Sequence, residues 1–215
     1  GVKDDTMAIR AVYFSVCGMI AVHSENNYPK HIQAMNDWAK PHVKRATDMG
    51  WLIEDIFSGD LQRDMRREDF CVLAEHMLGT CGIDTAALSL GIPPFSDTQN
   101  QSVNALYRLG IVKGKTSVEF APQDSITREE AAAILYRMCK VLEIKDVYMD
   151  YRLSGYMFAD TESFSDWATE STYNIYLHGV MQGIGDDFFD PKSPYSMEQA
   201  ITTMIRLYDK KEAEK

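Results

Sequence analysis

The sequence predicts an all-α fold in which three tandem helix-loop-helix repeats pack with pseudo-threefold symmetry, beside an extra N-terminal helix. Three observations predict this fold class. The second half of the chain repeats at a fixed offset, each repeat carries apolar residues at helical spacing, and a glycine follows the first helical pattern of each repeat. The internal repeat decides the fold assignment, because overlooking a repeat would misassign the whole fold.

The repeat is clearest between the middle and the end of the chain. Placing Gly110 on Gly179 brings many other identical or similar residues into register. So many coincidences at one offset indicate a true internal duplication. The aligned pairs are Gly114 with Gly183, Phe120 with Phe189, Pro122 with Pro191, Thr127 with Ser196, Glu129 with Glu198, Ala131 with Ala200, and Arg137 with Arg206.

A fainter copy precedes these two. Trp38 lies twelve residues before Gly50, as Trp167 lies twelve residues before Gly179, and both stand within Asp-Trp-Ala. The stretch "MRREDFCVLAEHML" aligns with "ITREEAAAILYRMC", although the first copy is one residue shorter before its second helix. We therefore expect repeats at 28–81, 95–142 and 158–209 within one compact domain, and an N-terminal helix within 1–27.

Each repeat is divided into the same elements. The N-terminal helix, at about 6–22, is apolar all round and is expected to be buried. In every repeat a first helix ends at a glycine in the left-handed conformation, an irregular loop follows, and a second helix closes the unit. The segments 79–94 and 140–157 contain Gly and Pro and are predicted as loops between repeats.

The second helices carry the predicted core. In "SITREEAAAILYRM" Thr127 is a candidate N-cap, and Glu129 and Glu130 suit the positive end of the helix dipole. A unit of about 50 residues cannot bury an apolar stripe alone, so the three stripes are expected to pack together. The stripes are Cys71, Ala74 and Leu78 in repeat one, Ala132, Leu135 and Cys139 in repeat two, and Ile201, Met204 and Tyr208 in repeat three.

Composition excludes several classes of function. The 215 residues carry a net charge of -10, which opposes binding to nucleic acid or an anionic surface through the bulk field. An anionic partner must therefore be held by local groups. No apolar run reaches the roughly 18 to 20 residues of a membrane span, so no membrane insertion is expected.

No cofactor, metal or catalytic site is predicted. The cysteines Cys17, Cys71, Cys81 and Cys139 form no CxxC pair, and Cys71 and Cys139 fall on core positions that favour buried free thiols over disulfides. Adjacent acidic pairs such as Asp186 with Asp187 lack the separated, opposed geometry of glycosidase carboxylates. The stretch "GIGDDFFD" also lacks the ligand pattern of a calcium loop.

These repeats resemble the S-layer homology family over about residues 28–208. The resemblance implies a three-lobed helical module that binds secondary cell-wall polysaccharide, often pyruvylated, and anchors exported proteins non-covalently to the bacterial envelope. The resemblance therefore leads us to expect an exported protein at the cell wall or cell surface of a bacterium. The matching residues are Phe95, Asp97, Gly110 to Gly114, Phe120 to Pro122 and Thr127 to Glu130 in repeat two; Phe158, Asp160, Trp167, Ala168, Gly179, Gly183, Phe189 and Pro191 in repeat three; and Trp38, Ala39, Arg67 and Glu68 in repeat one.

The resemblance also implies binding grooves between neighbouring repeats. An arginine at a helix start adds a bidentate donor to free backbone N–H groups, which together would seat a carboxylate, while a tryptophan face covers a sugar ring. The start of the second helix of repeat one, with Arg63, Arg66 and Arg67, is the most cationic spot. The predicted glycan-binding residues are Trp38, Arg67, Arg128, Trp167, Asp97, Asp160, Gly110 and Gly179.

Departures from the family pattern leave alternatives open. Thr98 stands where repeat two should have a tryptophan, Met197 stands where repeat three should have an arginine, and the loop of repeat one lacks Phe-x-Pro. Each tryptophan could instead be a packing residue. The alternative function is a degenerate scaffold that keeps the fold and binds another protein. The phenylalanines Phe95, Phe120, Phe158 and Phe189 are expected to pin their loops to the core.

Overall fold

The computed structural model describes residues 29–91, 94–146 and 158–214, so the N-terminal helix predicted at about 6–22 lies outside the described residues. The described chain is mostly helical. Its elements are β1 (Ile32–Ala34), α1 (Lys40–Asp48), β2 (Gly59–Asp60), α2 (Arg67–Thr80), α3 (Ala86–Ser89), α4 (Gln101–Arg108), α5 (Arg128–Val141), a 3-10 turn (Thr161–Ser163), α6 (Asp166–Leu177) and α7 (Met197–Ala213).

Three elements were not expected from the sequence. Strands β1 and β2 pair in parallel, with Ile32 beside Gly59 and Ala34 beside Asp60. This extended pairing occurs in repeat one, whose loop lacks the Phe-x-Pro of the other two. The short helix α3 lies inside 79–94, which was wrongly predicted as loop throughout, and it packs against α4.

The three first helices end as predicted. Gly50, Gly110 and Gly179 have φ angles of 72°, 73° and 72°, a left-handed conformation that residues with a Cβ rarely adopt. The N–H of each glycine and of the following residue bonds back to the last helical turn, which is the Schellman arrangement. The bonds of the following residues are Trp51 N to Ala46 O (2.9 Å), Ile111 N to Leu106 O (2.9 Å) and Val180 N to Ile175 O (3.2 Å).

The second helices form the core, which confirms the predicted stripes. All predicted positions are buried except Tyr208, which is partly buried and meets the edge of the Trp51 ring at 5.6 Å. Cys71 and Cys139 are buried free thiols, and burial raises the pKa of each to about 12. The four phenylalanines predicted to pin loops to the core, Phe95, Phe120, Phe158 and Phe189, are also buried.

Each second helix packs against a first helix of another predicted repeat: α2 packs against α4, α5 against α6, and α7 against α1. A backbone ring connects the segments just before the second helices. Met65 N donates to Tyr195 O (2.8 Å), Tyr195 N to Ile126 O (2.9 Å), and Ile126 N to Met65 O (2.9 Å). All three residues are buried, so the start of every second helix is fixed from inside the core.

None of the described helices combines the length and apolarity needed to cross a bilayer.

Candidate functional site

The start of each second helix docks on the loop of another repeat. We call these contacts the first junction (α2 on loop 111–126), the second junction (α5 on loop 180–195) and the third junction (α7 on loop 51–65). Backbone bonds hold each one. They are Arg67 N to Asp124 O (2.9 Å) and Glu68 N to Pro122 O (3.1 Å); Arg128 N to Ser193 O and Glu129 N to Pro191 O (both 3.0 Å); and Met197 N to Arg63 O (3.0 Å) and Glu198 N to Leu61 O (2.9 Å).

These bonds correct one expectation. The first N–H groups of the second helices were expected to be free to seat an anion, but loop carbonyls occupy the first two at every junction. At α5 the third is also used, because Thr127 and Glu130 form a reciprocal capping box. An anion at a junction must therefore be held by side chains.

Arg67, predicted as an open anion seat, is buried at 5% exposure in the first junction. Its Nε donates to Phe120 O at 3.0 Å and its Nη2 to Lys113 O at 3.3 Å. Its Nη1 lies 3.2 Å from a carboxylate oxygen of Glu130, which also pairs with Lys115. All three guanidinium nitrogens of Arg67 are thus bound within the protein.

The charges around Glu130 change its acidity. Burial of the carboxyl raises its pKa, but the hydrogen bond from Lys115 and the positive charge of Arg67 outweigh burial, so the pKa of Glu130 lies below its ordinary value. Glu130 is therefore an ionised partner of Arg67 at neutral pH.

Arg128 is equally buried in the second junction but is paired differently. Its Nε donates to Phe189 O at 2.7 Å and its Nη2 to Gln182 O at 2.8 Å, while the guanidinium stacks 4.7 Å from the Phe189 ring centre. Among the described residues no carboxylate makes an ion pair with it. The residue aligned with Glu130 is the neutral Gln199, and burial lowers the pKa of Arg128.

The other predicted cations at α2 have partners within the protein. Arg66 forms an ion pair with Asp69 at 2.7 Å and also donates to Gln123, while Arg63 Nη2 donates to Ile56 O at 2.6 Å. The spot predicted as the most cationic is therefore internally compensated. Charge counting along the sequence could not show these pairings, because they depend on how the helix start meets the next loop.

Two of the three tryptophans are surface residues. Trp38 is 48% exposed and Trp167 is 55% exposed, whereas Trp51 is buried and donates to Thr80 Oγ1 at 2.8 Å. Trp167 is the second residue of α6, and Trp38 lies just before α1 rather than inside it. Such exposed indoles suit contact with a ligand better than packing.

A glutamate that the sequence reasoning did not assign to the site links the tryptophan segments to the second helices. Buried Glu129 accepts from Ser165 N (3.0 Å), Ser165 Oγ (2.9 Å) and Lys192 Nζ (2.5 Å), and Ser165 is two residues before Trp167. At the third junction Glu198 accepts from Asn36 N (2.8 Å) and Asn36 Nδ2 (2.6 Å). The alignment of Glu129 with Glu198 was the signal that could have found this role.

The remaining predicted site residues organise the loops. Asp97 accepts from Phe120 N and Ala121 N, and Asp160 accepts from Phe189 N and Asp190 N at 3.0 and 2.7 Å. Burial of the carboxyl raises the pKa of Asp97, but the bonds from Phe120 N and Ala121 N outweigh burial and hold this pKa below its ordinary value. Gly110 and Gly179 end helices, as described above. A ligand contact by any of these four remains a prediction.

Comparisons with known proteins assign a family to part of the chain. The family model described as "S-layer homology domain" matches residues 94–132. This range begins at the entry of repeat two and ends inside α5, so it contains the loop that receives Arg67 and the start of the helix that carries Arg128.

Curated relatives share the similarity over longer stretches. The chain is 28% identical over 186 residues to an endoglucanase of Bacillus sp. (strain KSM-635), 31% identical over 121 residues to an amylopullulanase of Thermoanaerobacterium thermosulfurigenes, and 24% identical over 138 residues to a cell surface protein of Thermoanaerobacter kivui. The matches cover 85%, 54% and 60% of this chain but 19%, 6% and 18% of those proteins. The chain therefore contains an S-layer homology domain, which the family model places at residues 94–132.

Proposed function

We propose that this chain is a non-catalytic module that anchors an exported protein to the bacterial cell wall by binding an acidic, pyruvylated wall polysaccharide. The family match and the relative named a cell surface protein support this assignment. Two other relatives are named as polysaccharide-degrading enzymes, but the chain matches only 19% and 6% of their lengths. The similarity is thus to a small part of each enzyme.

The proposal includes three S-layer-homology-like repeats, at 28–81, 95–142 and 158–209, arranged with pseudo-threefold symmetry. The closed backbone ring of Met65, Ile126 and Tyr195 supports it, because each member precedes a second helix by the same two positions. The pairing of α2 with α4, α5 with α6 and α7 with α1 follows the same rotation.

The observation that carries the function is the exposure of an indole at the second junction. Trp167 is 55% exposed and stands two residues after Ser165, which is held by the buried Glu129 of another predicted repeat. The backbone beside this indole is therefore fixed while the indole face remains available. An aromatic face so positioned can cover the apolar side of a sugar ring.

The energetics suit moderate affinity. A charge-assisted hydrogen bond to a carboxylate contributes roughly 1.5 to 3 kcal/mol. Burying an indole face at roughly 25 cal/mol per Å² contributes a comparable amount. Micromolar binding needs about -8 kcal/mol, which a few such contacts at one junction supply.

Sedimentation with purified cell wall tests the function. The protein should co-sediment with sacculi that carry their acidic polysaccharide and stay in solution with sacculi stripped of it by hydrofluoric acid. Equal retention on the two preparations, or retention on neither, would contradict the proposal.

A protein-binding scaffold is the second candidate, and one observation favours it. Ile184 and Phe188 face each other in a tight hairpin, with Ile184 N donating to Phe188 O at 2.8 Å, yet their side chains are 57% and 44% exposed. An exposed apolar pair of this kind suits a protein contact. Capture of a purified surface protein by a chain that sacculi carrying their acidic polysaccharide do not retain would favour the scaffold.

A further inference from the structure

We propose that only the second junction is competent to bind, so that each chain holds the acidic polysaccharide at a single groove containing Arg128, Trp167 and Lys192. This inference rests on the proposed function and specifies its site. It follows from comparing the side chains that occupy aligned positions at the three junctions.

The first junction lacks both recognition elements. The position aligned with Trp167 is Thr98, which is 8% exposed and accepts a hydrogen bond from Asn100 N at 3.1 Å. Arg67 is present, but Glu130 already neutralises it at 3.2 Å. An incoming carboxylate would have to displace a buried partner carboxylate and would find no aromatic face.

The third junction has the indole but no arginine at its helix start, and its exposed cation Arg63 donates to Ile56 O at 2.6 Å. Met197, fully buried, stands in place of the arginine, and Trp38 is the exposed aromatic residue. Glu198 makes no ion pair within the described ranges and is bonded to Asn36. This junction therefore presents a buried negative charge, which opposes a second carboxylate.

The second junction combines all the elements. Trp167 is exposed, and Arg128 uses Nε and Nη2 for loop carbonyls, which leaves Nη1 with no partner among the described residues. A guanidinium that is desolvated but not neutralised by a carboxylate gains strongly from an anion. The guanidinium of Arg128 lies over the aromatic ring of Phe189, which fixes the orientation of the guanidinium.

Lys192 adds the second cation and has no counterpart elsewhere. Its side chain is 54% exposed and bridges Glu129 and Ser165 Oγ, the latter at 2.6 Å. The aligned residue in repeat two is Gln123, which donates to Glu68 at the first junction. At the second junction Glu129 pairs with Lys192, and no carboxylate of the described residues makes an ion pair with Arg128. At the first junction Glu130 pairs with both Arg67 and Lys115.

A matched pair of tryptophan variants tests the inference. Trp167→Ala and Trp38→Ala remove side chains of similar exposure, so neither should disturb folding, which circular dichroism checks. Using purified sacculi that carry their acidic polysaccharide as the probe, Trp167→Ala should weaken the apparent Kd at least tenfold, whereas Trp38→Ala should stay within twofold.

A second pair tests the cations. Lys192→Gln installs the residue found at the aligned position of repeat two and should weaken binding several-fold and reduce its salt dependence. Lys115→Gln, at the first junction, should leave the binding affinity and its salt dependence unchanged. The pair keeps the test independent of the tryptophans, and neither change removes a buried arginine.

The possible outcomes are distinct. If the wild-type protein binds and Trp38→Ala weakens binding as much as Trp167→Ala, or more, a single second-junction groove is wrong while the anchoring function stands. If the wild-type protein is retained equally on stripped sacculi, or on neither preparation, the proposed function fails and this inference fails with it.

Discussion

At the scale of the residue, the arginine that begins α2 and the arginine that begins α5 each link their helix to a distant loop. Arg67 and Arg128 both donate Nε and Nη2 to two loop carbonyls and stack on the phenylalanine of the same loop, 4.7 Å from the ring centre in each case. The helix dipole disfavours a cation at this position. The carbonyl groups of the neighbouring loop compensate, so burial of the guanidinium needs no bound anion.

Replacing Glu130 tests the ion pair with Arg67. Glu130→Gln keeps the capping box, since Gln199 serves that role in α7, but it removes the charge. The pKa of Glu130 is lowered in the folded state, so its ionised form stabilises the protein above the ordinary value of 4.5, and this contribution is lost as pH falls through the lower folded value. We expect a loss of about 2 kcal/mol in unfolding free energy near neutral pH.

Urea unfolding at several pH values measures this effect. The difference between wild type and Glu130→Gln should be constant above about pH 5 and shrink as pH falls below the ordinary value. Glu119→Gln, which removes one exposed charge, is the control and should have a small effect. A difference that does not change between neutral and acidic pH would show that the ion pair contributes nothing.

Replacing Asp160 tests the loop contacts. Asp160→Ala leaves the N–H groups of Phe189 and Asp190 without their acceptor, so a loss of about 1 to 3 kcal/mol in unfolding free energy is expected. Glu162→Ala, in the adjacent exposed 3-10 turn, should change stability by less than about 0.5 kcal/mol. Thermal unfolding of both variants provides the measurement. Equal midpoints would mean that Asp160 does not hold the loop.

At the scale of the element, the helix ends and the Thr127 N-cap were predictable, whereas the docking of the helix starts on distant loops was not. A glycine after an apolar helical pattern has a local conformational cause, so Gly50, Gly110 and Gly179 could be assigned as caps from sequence alone. The occupation of the first N–H groups of α2, α5 and α7 by loop carbonyls depends on distant residues. For that reason the sequence predicted free donors where the structure has satisfied ones.

Two glycine substitutions distinguish a glycine that caps a helix from a glycine inside a helix. Gly179→Ala forces a side chain into a left-handed backbone at φ 72° and should destabilise the protein by about 1 kcal/mol, although nothing obstructs the new methyl group. Gly79→Ala, within α2 and equally unobstructed, should stabilise it by about 0.5 to 1 kcal/mol. Chemical denaturation should give opposite signs, and the same sign for both would contradict the assigned backbone roles.

At the scale of the whole molecule, the core was predictable because the second helices carry their apolar residues at helical spacing. The strand pair β1–β2 was not, because three and two residues are too few for alternation to indicate a strand. Of the residues predicted for the site, the two tryptophans are exposed and the two arginines are buried. Exposure of Trp38 and Trp167 agrees with a binding surface, while burial of Arg67 behind Glu130 follows from a contact across repeats that no local pattern encodes.

Removing one repeat tests the interdependence of the three. A chain truncated after residue 146 loses α6 and α7, which exposes the faces of α5 and α1 that they cover and opens the backbone ring. We expect it to unfold without a cooperative thermal transition and to bind a hydrophobic dye, unlike the full chain. A sharp transition near that of the full chain would show that the repeats fold as independent units.

Isothermal titration with a defined saccharide tests the central claim most directly. A saccharide bearing a pyruvate ketal should bind with a micromolar Kd at one site per chain, and its neutral methyl ester should bind at least tenfold more weakly, because the cations of the second junction recognise the carboxylate. Equal affinity for the acid and the ester, or no heat from either while the protein is retained on intact sacculi, would contradict this account of the site.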